Sequence, residues 1–146
     1  MATPVHLIRL MGHASLSRTF KLGPEDREAY AFANDLRAAV LEGRLRAVWL
    51  HPANELGGQT IMRGSKRIAS PLAALARALG LITGASDYLF LWGAGSAAIE
   101  FKSATGRMTL AQTDFKQWCA DQGVPHFVAR SAAEGLAILR ELGVLT

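Results

Sequence analysis

Apolar and polar positions alternate along this chain in two periods, one helical and one extended. A proline followed by acids at Gly23-Pro24-Glu25-Asp26 suits a helix N-terminus and its dipole. Ala29, Phe32, Ala33, Leu36 and Val40 then recur at helical spacing, and Gly43 ends the stripe. Residues 46–51 predict a first strand, with 52–55 as its exit. Gly57, Gly58 and Gly64 predict a mobile loop, which leads into an alanine-rich helix from about Ser70-Pro71 to Leu79, stopped by Gly80. Two apolar runs, one beginning at Asp87 and one ending at Lys102, flank the small-residue turn 93–96 and predict an antiparallel hairpin. A turn over 103–108, a helix over 109–122, a strand over 125–130 and a last helix capped by Ser131 and running through 142 complete the pattern. Residues 1–23 carry little signal. Val5 to Leu10 reads as a short strand, as an arm on a partner chain, or as part of a partly ordered tail. The fold class is therefore α/β, a mixed central sheet of about four strands flanked by helices, in one domain over 1–146.

The chemistry concentrates on the hairpin. Its first strand starts beside the end of its second, so Asp87 comes close to Glu100 and Lys102. Period-two alternation sets Glu100 and Lys102 on one face and turns Phe101 to the other. Two carboxylates and an ammonium thus meet at one end of a sheet. Hard divalent cations take such oxygens, and Mg²⁺ usually holds one or two carboxylates, several waters and a substrate phosphate. A lysine beside them stabilises charge on a phosphoryl oxygen or helps place a water.

Glu25 lies four residues before Ala29 and so shares the buried stripe of its helix. Dipole compensation by a solvated acid is one reading of Glu25. His51 reads as a structural histidine at a strand end rather than a base. Thr109 and Gln112 have capping-box spacing. Leu110, Phe115, Trp118 and Cys119 are expected to form the apolar face of that helix, with no chemistry at Cys119.

The run Gly84-Ala85-Ser86-Asp87, then Glu100-Phe101-Lys102, then Gly106-Arg107-Met108-Thr109-Leu110-Ala111-Gln112 resembles the virus-type replication-repair nuclease (VRR-NUC) domain of the PD-(D/E)xK superfamily. That pattern has a Gly-x-Pro-Asp strand start, a Glu-x-Lys strand, a Gly-Arg turn and a Ser/Thr-x-x-Gln helix start. Glu-x-Lys alone is common, and the ordered set at these spacings carries the likeness. Ser86 departs from it, standing where proline is usual. The resemblance implies a restriction-endonuclease-like core and a nuclease dependent on Mg²⁺ or Mn²⁺. Asp87 and Glu100 would be the ligands, Lys102 the catalytic lysine, and Gln112 a contact to the lysine or a water. First-helix acids often supply a further ligand in that superfamily, which makes Glu25 the candidate third carboxylate, with Glu28 behind it. His51-Pro52-Ala53-Asn54-Glu55 resembles the family at the same place, making Glu55 a weaker ligand candidate. The likeness further implies a homodimer acting on branched DNA such as four-way junctions, in the cytoplasm of a bacterial or phage-infected cell.

Between Leu56 and Ser86 there is no Asp or Glu, whereas Arg63, Lys66, Arg67 and Arg77 all occur. The segment reads as a phosphate-tracking surface or as a plain solvated face. Arg63, Lys66, Arg67 and, from the turn beyond the hairpin, Arg107 are the nucleic-acid candidates. A formal net charge of +4 suits a polyanionic partner. Half the residues are hydrophobic and 19% charged, which excludes disorder. One cysteine excludes an internal disulfide framework and fits a reducing compartment. No apolar run approaches the ~18 residues of a membrane span. Two functional classes follow: a metal-dependent nuclease, or a non-catalytic nucleic-acid-binding or assembly protein on the same fold. The second would be expected to lose a carboxylate or the lysine, and all three are present.

Overall fold

A computed structural model describes residues 2–12, 16 and 21–146. Four strands form the central sheet in the order β1-β4-β5-β6: β1 (Val48–Leu50), β4 (Tyr88–Trp92), β5 (Gly95–Phe101) and β6 (His126–Ala129). β4 pairs antiparallel with β1 and β5, and β6 joins β5 in parallel. The sheet is mixed and flanked by helices, as the hydrophobic pattern predicts.

One face of the sheet is sealed by α2 (Pro24–Leu41) and α6 (Ala132–Glu141). Phe32, fully buried on α2, meets Tyr88 edge-on at 5.1 Å and Phe101 at 5.0 Å between ring centroids. Gly135 lets α6 come this close, since a Cβ there would lie 2.7 Å from the Phe32 ring. This aromatic packing on one face of β4 and β5 fixes the strand ends beside Asp87 and Glu100.

The other face is only partly covered. α5 (Leu110–Asp121) crosses it and buries Cys119, but Leu110 is 79% and Trp118 52% exposed. The expected apolar face of α5 is therefore narrower than its sequence suggests. Only part of the helix reaches the sheet, and Val48, Leu50 and Leu91 beside it stay exposed.

Two further expectations are corrected. Val5–Leu10 is a short helix, α1, packed near α2, with Thr3 Oγ1 donating to Leu41 O at 2.9 Å. Its proline N-cap at Pro4 and its lack of buried residues suit a helical turn on the surface better than a strand. The arm reading also covers residues 1, 13–15 and 17–20, which lie outside the described residues.

The stretch expected as a mobile loop holds α3 (Asn54–Gly57) and a separate antiparallel hairpin, β2 (Thr60–Arg63) with β3 (Lys66–Ala69). Gly64 at φ +64 and Ser65 make its two-residue turn, with glycine first as a type II′ turn requires. Ser70 then caps α4 (Pro71–Ala78), its Oγ accepting from Ala73 N at 3.0 Å.

Candidate active site

The site forms where β4 begins and β5 ends. Tyr88 opposes Ile99, so the register carries Asp87 to the level of Glu100. Asp87 Oδ2 accepts the Phe101 N–H at 2.7 Å, which anchors the carboxylate across the hairpin. On its other side β5 is held by β6, and Lys102 N continues that pairing to Ala129 O at 2.9 Å. One flank of the Glu100–Lys102 segment is thus held by main-chain bonds to β6 and the other by the Asp87 carboxylate.

Glu100 is 1% exposed and Lys102 6%. Lys102 Nζ donates to Glu100 Oε1 at 2.9 Å and stands 3.8 Å from Glu25 Oε1. Gln112 Nε2 donates to the same Glu100 Oε1 in a short hydrogen bond. Glu100 Oε2 is buried and has no hydrogen-bond partner among the described residues. One oxygen of this carboxylate is saturated while the other keeps its lone pairs unused, in a place where an unmet acceptor is costly. Burial, joined by the Asp87 charge, pushes the Glu100 carboxyl up to about 7, against the opposing pull of Lys102. Burial likewise raises Asp87, opposed by the Phe101 N–H, His51 and Lys102.

Gln112 caps its helix as the spacing predicts, but its second contact is Glu100 rather than the lysine or water that the resemblance implies. Its Oε1 accepts the Thr109 N–H at 2.9 Å and its N–H donates to Thr109 Oγ1 at 3.2 Å, a complete capping box. The opposite end of the amide reaches Glu100, not Lys102. Gly84 brings this helix start against the strand entrance. At φ +87, a Cβ on Gly84 would fall 2.3 Å from the carbonyl of Ala111. Position 84 must therefore be glycine for α5 to begin beside Asp87.

Glu25 lies at the site but is engaged, its Oε2 accepting Ser103 N at 3.2 Å. Glu28 serves elsewhere, accepting the Ala132 N–H at 2.7 Å at the start of α6. Glu55 Oε1 meets His51 Nε2 at 2.7 Å, and His51 Nδ1 faces the Asp87 carbonyl at 2.5 Å. His51 therefore links Glu55 to the Asp87 backbone, a positioning contact in keeping with its structural reading. Glu25, His51, Glu55 and Asp87 line one cavity of about 370 Å³. Among the described residues, no three of the His, Cys, Asp or Glu side chains stand together as a metal cage. The donor set that Asp87 and Glu100 offer is a pair of carboxylates, which fits Mg²⁺ or Mn²⁺ completed by water and phosphate oxygens. The unpartnered Glu100 Oε2 is the atom that fits a cation best.

Sequence reasoning missed Arg130. Its guanidinium donates to Ser103 O in a short bond, to Gly106 O at 3.1 Å and to Ala104 O at 3.3 Å, bracing the turn after Lys102. Nothing in a strand-end arginine announces such a role. With Lys102, Arg107 and Glu134 it lines a second hollow, and Arg107 is exposed there. Ser86, fully buried, hydrogen-bonds His126 Nε2 at 2.9 Å, so the serine that departs from the family pattern ties the strand entrance to β6. Burial raises the Cys119 thiol, in keeping with its assignment of no chemistry.

The basic candidates of the glycine-rich segment stand apart from this cluster. Arg63, Lys66 and Arg67 are exposed on β2 and β3. Comparison with family models, with curated proteins and with solved structures found no match.

Proposed function

We propose that this protein is a metal-dependent nuclease hydrolysing DNA phosphodiester bonds, as the resemblance to the virus-type replication-repair nuclease domain implies. The observation that carries the reading is Glu100: buried, beside Asp87 and Lys102, with one carboxylate oxygen lacking any partner among the described residues. Asp87 and Glu100 would hold Mg²⁺ or Mn²⁺, which supplies Lewis-acid activation of water and of the scissile phosphate when bound. Glu25 and Glu55 line the adjoining cavity and are the further carboxylates available to it.

The chain's own contributions follow from the contacts. Gln112 and Lys102 fix Glu100 through Oε1 and leave Oε2 for the cation. The Phe101 N–H orients Asp87 in the same way. Lys102 brings a positive charge to the position where a non-bridging phosphate oxygen gains charge in the transition state. Arg107 lies on the rim of the neighbouring hollow, within the same turn region, and would receive a flanking phosphate.

Branched DNA is the proposed substrate and a homodimer the proposed form. The exposed apolar strip of Val48, Leu50, Leu91 and Trp118 supports a second copy, because contiguous apolar surface of this kind marks contact sites. Among the described residues no helix is long and apolar enough to cross a membrane.

The deciding experiment incubates labelled linear, flapped and four-way DNA with the protein in Mg²⁺, Mn²⁺ or EDTA. Cleavage of the branched forms that needs the cation and is lost in Asp87→Ala and Glu100→Ala is the expected result. Full-rate cleavage in EDTA would overturn it. Light scattering of the purified protein tests the dimer.

A further inference from the structure

The β2–β3 hairpin stands outside the main sheet, and every residue from Thr60 to Arg67 is exposed. Two strands alone are marginal in water, so a hairpin in which only Ile68 and Ala69 are half-buried needs something to lie against. Its register places Arg63 opposite Lys66 and Met62 opposite Arg67. Directly opposed residues share a face, so cations appear on both faces and crowd toward the turn. None of the three forms an ion pair among the described residues. No acid occurs from Leu56 to Ser86 to neutralise them.

The base of the ribbon is secured. Ser70 N donates to Gln59 O at 2.9 Å, and Arg77 donates to the Gly57 carbonyl just ahead of it. Asn54 Nδ2 donates to Ala85 O at 2.6 Å, joining this base to the residues that lead into Asp87. The ribbon therefore grows from the wall of the candidate site.

We infer that the β2–β3 hairpin is an arm that enters the major groove of B-form duplex DNA, with Arg63 and Lys66 at its tip and Arg67 along its side. Four residues per strand extend roughly 13 Å. The major groove is about 12 Å wide and 8.5 Å deep and admits a two-stranded ribbon. The major groove of duplex RNA is too narrow for side chains to read. The inference rests on the nucleic-acid reading above but not on catalysis, so it is tested without cleavage.

The protein in EDTA would be titrated against a labelled DNA duplex and the RNA duplex of the same sequence. Guanine N7 protection from dimethyl sulfate would report major-groove contact. The arm predicts preferential DNA binding, and N7 protection that the triple variant Arg63→Ala, Lys66→Ala, Arg67→Ala abolishes. That variant should also flatten the log–log salt slope by up to about 2.7, at ~0.9 for each lost phosphate contact. A thermal melt confirms that it folds, and the double variant Arg63→Ala, Lys66→Ala should give a partial loss. Equal binding of duplex RNA, an unchanged slope, or protection that survives the triple variant would each overturn the arm. So would a change in oligomeric state in the triple variant, which would assign the hairpin to a contact between copies. Binding that behaves as expected in a protein that cleaves nothing would leave the arm standing and remove the nuclease reading. Cleavage of branched DNA with an unchanged salt slope would do the reverse.

Discussion

The side-chain amide of Gln112 joins the first turn of α5 to the buried carboxylate of Glu100, capping with its oxygen and donating with its nitrogen. Only one orientation of the amide satisfies both partners. Gln112→Glu keeps an acceptor for the Thr109 N–H, since glutamate suits the same capping position. It removes the donor and sets a second carboxylate against Glu100. Helix content should therefore stay close to the parent, while the melting temperature falls at neutral pH and cleavage drops at least roughly tenfold, in line with a disturbed charged contact. Equal cleavage by the two proteins would reduce Gln112 to a cap.

Glu100 makes stability depend on pH in a defined direction. Its folded carboxyl titrates near 7, above the ordinary 4.5, because burial disfavours the charged form. Between those values the unfolded chain loses its proton while the folded protein keeps it. The contribution of Glu100 to stability in EDTA should therefore be fully present below about pH 4.5, fall as pH rises to 7, and level off above. The drop is on the order of 3 kcal/mol at most. Glu100→Gln should flatten this window in thermal melts taken across it; a parent and variant with the same profile would refute the assignment.

Lys102→Met keeps most of the buried stem and removes the charge. If Lys102 acts on the transition state, single-turnover cleavage should fall roughly a hundredfold or more, as when one aligned electrostatic donor is lost. At pH 5, where Glu100 is largely protonated, melting should change little. Turnover near that of the parent would make Lys102 a counter-ion only.

Gly84 and Gly80 give a paired comparison. Both have positive φ, +87 and +110, but a Cβ at position 80 meets nothing within 4 Å. Gly80→Ala should cost about 1–2 kcal/mol from backbone strain alone. Gly84→Ala adds the clash with Ala111 and should cost clearly more, with the start of α5 displaced from the site. Chemical denaturation of the two variants measures the difference, and equal losses would mean that the close approach is not needed.

Much of this was written in local pattern. The alternation of Glu100, Phe101 and Lys102 and the hairpin around 93–96 suffice to bring Asp87 beside Glu100, because a short antiparallel connection fixes its own register. The Gln112 contact was half visible: capping spacing is local, whereas its reach to Glu100 depends on Gly84 admitting the helix. Arg130 and the Ser86–His126 bond were invisible, since both span elements whose meeting is decided by the parallel β5–β6 pairing. The basic hairpin could have been found. Gly64-Ser65 between Thr60-Ile61-Met62-Arg63 and Lys66-Arg67-Ile68-Ala69 is a two-residue turn signal, and attention to the glycines alone read it as a loop. α5 misled for another reason. Its apolar residues are real, but only part of the helix reaches the sheet, so Leu110 and Trp118 stay exposed.

The central hairpin has two unlike ends. Asp87 and Glu100 occupy one, while Gly93 and Ala94 form an exposed turn at the other, with the length of β4 and β5 between them. That distal turn is a handle. A short peptide tag or a cysteine for a fluorophore placed there would sit at the end of the paired site strands, several residues from every group assigned chemistry, where loop tips tolerate change. Its signal would report the orientation of the site strands directly, and the chain could be followed on a DNA surface without altering a single contact at the carboxylates.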